Sequence, residues 1–291
     1  MSLALRRGVP LLVIAGALCA CTAPGVSLPF SEPAAAVVDG HDISMKAYQA
    51  RLEVSRHRDP FSGIKEAIPS PAPSQRLEGF TIEQLVREEI VRQEAQKRHI
   101  TVGDHAVQSR IDALKAKAGA VSFNEALTRN GFSGDSFRAY QRALLTEVAL
   151  LQALAKGRAD SAARDLKAGD SFAAVAARWS DDSGTAARGG EAGWLRPADI
   201  PEPALAAAVR SLVAGGVTGI IATNRGFAMA TVLEVRNDQV HLATILVLAP
   251  AVDLYSPQST PPWFTTFIDD RDAALRRAGR IELKVGGNAR G

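Results

Sequence analysis

Few residues in this chain have the types and spacing that chemistry requires. The five histidines, His41, His57, His99, His105 and His241, share no short ligand spacing, so an imidazole-based metal centre has no support. No G-x-S-x-G pattern marks a serine nucleophile. The densest cluster is Arg188–Leu195, RGGEAGWL, with Gly189, Gly190, Gly193 and Trp194. Glycines permit tight backbone paths that side chains obstruct. A phosphate-gripping loop does not fit, because no Lys-Ser or Lys-Thr pair follows. Trp194 most simply packs such a turn against a sheet. No cofactor is expected.

The only cysteines are Cys19 and Cys21, and they end a basic-then-apolar leader, MSLALRR followed by VPLLVIAGALCA. The apolar run is too short to span a bilayer comfortably. Leu18-Cys19-Ala20-Cys21 resembles a lipobox, in which a small residue precedes a cysteine that is lipidated and becomes the new N-terminus. An ordinary secretory signal cleaved nearby is the plainer alternative. Two acyl chains on Cys21 would hold the domain at a membrane surface. The mature chain then has no internal disulfide, thiol nucleophile or thiolate metal site, and its body is held by packing. The chain has 34 basic and 31 acidic residues; without Arg6 and Arg7 the balance is 32 to 31. No basic block stands out, which argues against nucleic acid as a partner. Residues 1–20 read as signal peptide and 21–33, with Pro24, Gly25, Pro29 and Pro33, as tether.

The elements that must position any site start at Ala34. Two short apolar pieces flank Asp39-Gly40, a turn pair, and Ser44 can cap the helix that follows. Residues 59–75 hold four prolines and read as loop. Thr81–Gln84, T-I-E-Q, is a capping-box pattern, and Ile82, Leu85, Val86 and Ile90 line one helical face. Helices follow over DHAVQSRIDALKAKAG and FNEALTRN, then a long one from Ser133 through Ala155. This order, with VVDGHDISMKAY and QLVREEIVRQEAQKRHITVGDHAVQSRI, resembles the N-terminal domain of SurA- and PrsA-type foldases over roughly residues 34–156. The resemblance implies a chaperone-like body that touches unfolded clients. A plain helical bundle with a packing role is the alternative.

Residues 165–236 contain LKAGDSF, ARWSDD, RGGEAGW, LVAGGVTG and TNRGF in that order. Together they resemble the parvulin-type peptidyl-prolyl isomerase domain. That family isomerises the bond before proline with no covalent step and no metal. It uses an apolar cup and a polar floor that favours the twisted amide. In the family two buried histidines organise the floor, with a cysteine or aspartate near the substrate carbonyl. By this resemblance Asp182 falls at the cysteine-or-aspartate position and Thr223 at a hydroxyl position. Ala192, Ile200 and Ala204 fall at cup positions, Ile200 where the family usually has methionine or leucine, Ala192 in place of a leucine and Ala204 near a usual phenylalanine. The late histidine is Ala228 here, and Arg225 replaces a common serine.

The early histidine belongs to an opening strand that parvulins place before the LKAGD helix, antiparallel to the closing strand. Residues 150–165 contain no such strand, whereas Ala243–Val247, after the turn at Asn237-Asp238, looks like it with Thr244 in the histidine's place. A hairpin of 227–235 with 240–248 would supply the strand from the other end, a circular permutation. The start of a second, truncated isomerase unit, or a plain extra strand, is the alternative. Residues 249–262 read as irregular, WFTTFIDDRDAALRRAG as helix, and 281–285 as a strand able to pair with 35–38.

The expected fold is α+β. A SurA/PrsA-like helical domain covers 34–157, a parvulin-like domain with a small antiparallel sheet covers 158–248, and 249–291 return to the first. The resemblance implies an extracytoplasmic, lipid-anchored folding factor whose partners are unfolded or exported polypeptides, and a monomer is expected. Three functions stay open: an isomerase with an unusual site, an inactive holdase, and an envelope adaptor.

Overall fold

The computed structural model describes residues 32–57, 76–256 and 259–285. The leader, Cys21, most of the tether and the 59–75 segment lie outside the described residues. Residues from Pro33 onward form one compact unit. It has two small antiparallel sheets, one carried on a helical body and one flanked by shorter helices.

The first sheet is built from both ends of the unit. β1 (Ala34–Val38) turns at Asp39-Gly40 into β2 (His41–Ser44), and both turn residues have positive φ, 54° and 81°. That backbone suits the twist of a tight hairpin. β7 (Ile281–Leu283) pairs along the other edge of β1, with Ala36 opposite Leu283. The order is therefore β2-β1-β7.

Between them lies the helical body. α1 (Met45–His57) is capped by Ser44, whose Oγ accepts the Ala47 N–H at 3.1 Å. α2 (Leu77–Lys97) starts one turn before the T-I-E-Q pattern. Thr81 is fully buried, and its hydroxyl donates back to the Leu77 carbonyl at 2.8 Å, so it sits inside the helix and not at its cap. α3 (Asp104–Ala118) and α4 (Ala120–Arg129) follow. α5 (Gly134–Lys167) opens on a complete capping box between Ser133 and Ser136 and runs twelve residues past Ala155 without a break. The domain boundary expected at 157/158 falls inside this helix. α8 (Pro262–Arg277) packs on α2 and leads to β7.

The second sheet is wholly antiparallel and orders its strands as β3 (Glu191–Leu195), β6 (Gln239–Leu248), β5 (Gly226–Arg236) and β4 (Ile221–Thr223). α6 (Phe172–Trp179) leads through a short 3₁₀ turn to β3. α7 (Pro203–Arg210) precedes β4, β5 and β6. The hairpin expected at Asn237-Asp238 is present: β5 and β6 pair from Gly226↔Leu248 to Arg236↔Gln239. β6 lies inside the sheet, between β3 and β5, while residues 134–167 are helix. The strand beside the closing one therefore comes from the C-terminal side, as the permuted arrangement requires.

The core is continuous across the two parts. Ile82, Ile90, Leu151, Phe264 and Ile268 share one apolar cluster with Val247 at the end of β6. A second cluster fills the space between α7 and one sheet face; a third packs Ala162 of α5 and Val175 of α6 against Met229 and Ile245 on the other. Among the described residues no helix is long and apolar enough to cross a membrane.

Candidate functional site

The loop around Gly190 is shaped by close approach. Gly190 has φ of 85°, and a Cβ there would lie 2.4 Å from the Thr244 carbonyl oxygen. Its own carbonyl accepts the Thr244 N–H at 2.8 Å, starting the β3–β6 pairing. Gly226 has φ of 140°, with the Val247 oxygen 2.1 Å from where a Cβ would stand. These glycines fix where β6 runs, and β6 carries Thr244.

Side chains alternate across a strand. Leu242 and Leu246 belong to the α7-side cluster, so Thr244 between them points to the same face, and Ala228 and Ala230 of β5 belong to that cluster too. Thr244 stands opposite Ala230 and Leu246 opposite Ala228. Thr244 and Ala228 are then diagonal neighbours, at about 7–8 Å. Ile200 is buried in this cluster. The two positions that the resemblance assigns to the family's histidines are thus brought onto one face, together with Ile200. Between Ala228–Val232 of β5 and Leu242–Leu246 of β6 that face is apolar apart from Thr244.

The other expected site residues serve the backbone or solvent. Asp182 accepts the Gly184 N–H at 3.2 Å and the Thr185 hydroxyl at 2.7 Å, closing its own turn. Thr223 donates to the Gly226 carbonyl at 3.0 Å and accepts the Arg225 N–H at 3.2 Å, closing the β4–β5 turn. Ala192 and Ala204 are exposed methyl groups. His241, on β6, stacks on Trp194 at 5.2 Å, away from the α7-side face. Among the described residues no group of three His, Cys, Asp or Glu side chains could hold a metal.

Sequence reasoning passed over the neighbour of Asp182. Asp181 is largely buried and accepts the Leu248 N–H at 2.8 Å and the Trp263 indole N–H at 2.9 Å. Arg158 of α5 faces it at 3.8 Å. The guanidinium lies 5.3 Å from the Trp179 ring centre and 4.7 Å from that of Trp263. Burial pushes the Asp181 carboxyl above the usual aspartate range, against the pull of its two donors and Arg158. This cluster joins α5, α6, α8 and β6.

The helical body carries a second feature, a groove of about 600 Å³ between α1 and α5 over α2. Its lining is mixed: Ala47, Ala50 and Val54 on α1, Ala139 and Ala143 on α5 and Leu85 below form a small apolar strip, and charged side chains such as Asp42, Lys46, Glu89, Arg92, Asp135 and Arg142 border it. At its base Arg51 makes a bidentate pair with Glu88, 2.6 and 3.0 Å, and lies 5.2 Å over the Tyr140 ring. Burial alone would lower the Arg51 pKa, but the Glu88 carboxylate outweighs it and the guanidinium is held charged. The signal available in the sequence was alanines at helical spacing in two distant segments, which nothing local connects.

A helical body is joined by a shared core to a four-stranded antiparallel sheet with flanking helices. A SurA-like N-terminal domain model matches residues 6–151, half the chain, and a PPIC-type PPIase domain model matches residues 145–234. The chain belongs to the SurA-like N-terminal domain family, with a parvulin-type domain attached. The parvulin match stops at Glu234, before the strand that completes the sheet. Relatives include the chaperone SurA of Chromohalobacter salexigens, 36% identical over 87 residues, which is 28% of this chain and 20% of that one. SurA of Yersinia pestis is 34% identical over 83 residues, 28% of this chain and 19% of that one. The matched stretch thus spans about a fifth of these relatives. Among solved structures, PrsA from Bacillus anthracis has a TM-score of 0.27 at 16% identity, covering 68% of this chain and 97% of that one. PrsA from Streptococcus pneumoniae has 0.30 at 14%, covering 75% and 95%.

Proposed function

We propose that this chain is an extracytoplasmic folding factor, anchored by lipid on Cys21, that binds unfolded or proline-containing segments of exported proteins. Holding is its main activity and prolyl isomerisation is slow or absent. The observation that supports this is the α7-side face. Ala228 and Thr244 occupy the positions the parvulin resemblance gives to two histidines, and neither can orient a polar floor as imidazole does. Without a preorganised floor the twisted amide gains little over the planar one. Asp182 and Thr223, proposed from the same resemblance, already use their oxygens in turns. The exposed Ala192 and Ala204 give little wall to a proline cup, whose buried area is worth only about 25 cal/mol per Å².

The groove between α1 and α5 supplies the holding site in this reading, because its strip of small apolar residues gives buried contact to an apolar side-chain row and its charged borders meet the polar remainder. The test uses two assays on the full chain. One follows aggregation of an unfolded client, the other cis–trans exchange of proline peptides. Suppressed aggregation that is lost in Ala139→Trp, with exchange near the uncatalysed rate, is expected. Exchange at the rate of an ordinary parvulin, abolished by Asp182→Ala, would replace holdase with enzyme. Activity in neither assay favours an adaptor with one fixed partner.

A further inference from the structure

We infer that the outer edge of the second sheet, from Val217 to Ala222 beside β5, takes an extended, uncharged segment of an unfolded chain as an added β-strand; this rests on the reading above that the protein holds unfolded segments.

The backbone along this edge is bonded on one side. The Thr218 N–H donates to the Ala230 carbonyl at 2.8 Å, and the Gly216 carbonyl accepts the Val232 N–H at 3.2 Å. Val217 lies between them, opposite Thr231, and this pattern turns its own N–H and C=O away from β5. Further along, β4 ends the sheet. Ala230 and Val232 are the β5 residues bonded toward this edge, so Ala228, in the same alternation, bonds to Ile221 opposite it. Ala222, the next residue, then turns its N–H and C=O outward. Val217, Gly219 and Ala222 are exposed, and a Cβ at Gly219 would stand in open space.

Composition separates this edge from the others. Folded proteins guard open edges with charged side chains and proline. The outer strands of both sheets otherwise do so with charge: Asp42 on β2, Glu282 on β7 and Glu191 on β3. From Ser211 to Asn224 there is neither a charged residue nor a proline; Arg210 and Arg225 bound the run. Val213 and Val217 stand exposed on it. The end of β5 beyond Val232 adds exposed Leu233 and Val235, with Glu234 and Arg236 paired to each other at 3.2 Å.

These groups define the occupant. Outward N–H and C=O groups are matched by another extended backbone, which binds them whatever its sequence. That suits a protein whose clients differ. An uncharged run offers no counter-charge, whereas β-branched side chains on an added strand would cover Val213 and Val217. The edge also continues the α7-side face, because Ile221 of β4 packs against the cluster of Ala228 and Ile200.

The probe is a fluorescent peptide of about eight alternating valines and threonines, a common strand length, N-methylated at every second residue. Methylation blocks one of its edges, so it cannot stack on itself but can add to a sheet by the other. The control is the same sequence methylated at every residue. Binding is read by anisotropy against the full chain and two variants. Val217→Pro removes the outward N–H and leaves the bonds to β5, and Ala222→Lys supplies the missing charge. Circular dichroism checks that each variant folds; should Val217→Pro fail to fold, Ala222→Lys decides. The half-methylated peptide is expected to bind, with affinity at least about tenfold lower for the control and in each variant. Equal binding of both peptides, binding unchanged in the folded variants, or no binding would overturn the edge site. A dimer of the free chain in sedimentation, lost in the variants, would overturn the client strand in favour of a second copy. Suppression of client aggregation is followed in the same proteins and is expected to weaken in the variants. Suppression that the variants fully retain would overturn the edge site and leave the holding reading standing; none by the unaltered chain would overturn both.

Discussion

Asp181 and Asp182 are adjacent carboxylates with different surroundings. Asp182 closes an exposed turn, while Asp181 is buried between Arg158, Trp263 and the β6 backbone. Sequence pattern alone gives no means of choosing which of two neighbouring acids points inward. That depends on where β6 and α8 pack, both far along the chain. The Asp181 pKa is raised by burial above its value in the unfolded chain. The associated stability is therefore fully present below the ordinary aspartate value and is lost as pH rises through the raised folded value. The urea midpoint, followed by tryptophan fluorescence, is expected to fall over that window and to flatten in Asp181→Asn. An unchanged slope in the variant would assign it to another group. Gly190 makes a second expectation at this scale. Gly190→Ala should destabilise by at least about 1–3 kcal/mol, since the φ is unfavourable for a side chain and the Cβ would press on the Thr244 carbonyl. Thermal unfolding measures it; an unaltered midpoint would show that β3 can shift freely.

Elements with strong local signals were legible. Ile82, Leu85, Val86 and Ile90 announce α2, Ser133 announces the start of α5, and Asn237-Asp238 announces the β5–β6 hairpin. Signals that depend on distant partners were not. Thr81 looks like a cap because its side chain suits one, yet packing against α1 extends the helix a turn earlier, where the Thr81 hydroxyl also meets Ser55 at 3.2 Å. The groove was invisible because alanines at helical spacing on α1 and α5 acquire meaning only when the two helices stand apart. Of the candidate site, the positions on β5 and β6 could be read, but the turn roles of Asp182 and Thr223 required the backbone geometry. α8 tests how far these packing contacts matter. Phe264 is fully buried and belongs to the cluster that includes Ile82 and Leu151. Phe264→Ala should cost about 3–5 kcal/mol, seen in denaturant unfolding. A cost under about 1 kcal/mol would place α8 outside the cooperative core.

At the scale of the molecule, α5 passes unbroken from the groove to the second sheet, and Val247 of β6 lies in the core of the helical body. Two parts so joined are expected to unfold together. Circular dichroism, reporting the helices, and tryptophan fluorescence, reporting Trp179 and Trp194 beside the sheet and Trp263 on α8, should give coincident transitions. Two separated midpoints would show that the sheet melts alone.

The pairing of β1 with β7 has a consequence for how the protein is made. β1 leaves the ribosome early, and its partner Leu283 leaves after nearly all of the described chain. Until then Ala35, Ala36 and Val38, fully buried in the finished protein, have only the β2 side of their sheet completed. Closing so long a loop costs chain entropy that no local contact repays in advance, and such pairings form slowly. A nascent or partly threaded chain therefore displays an open apolar strand for most of its emergence. A protein proposed here to shelter unfinished chains would itself spend its youth as one.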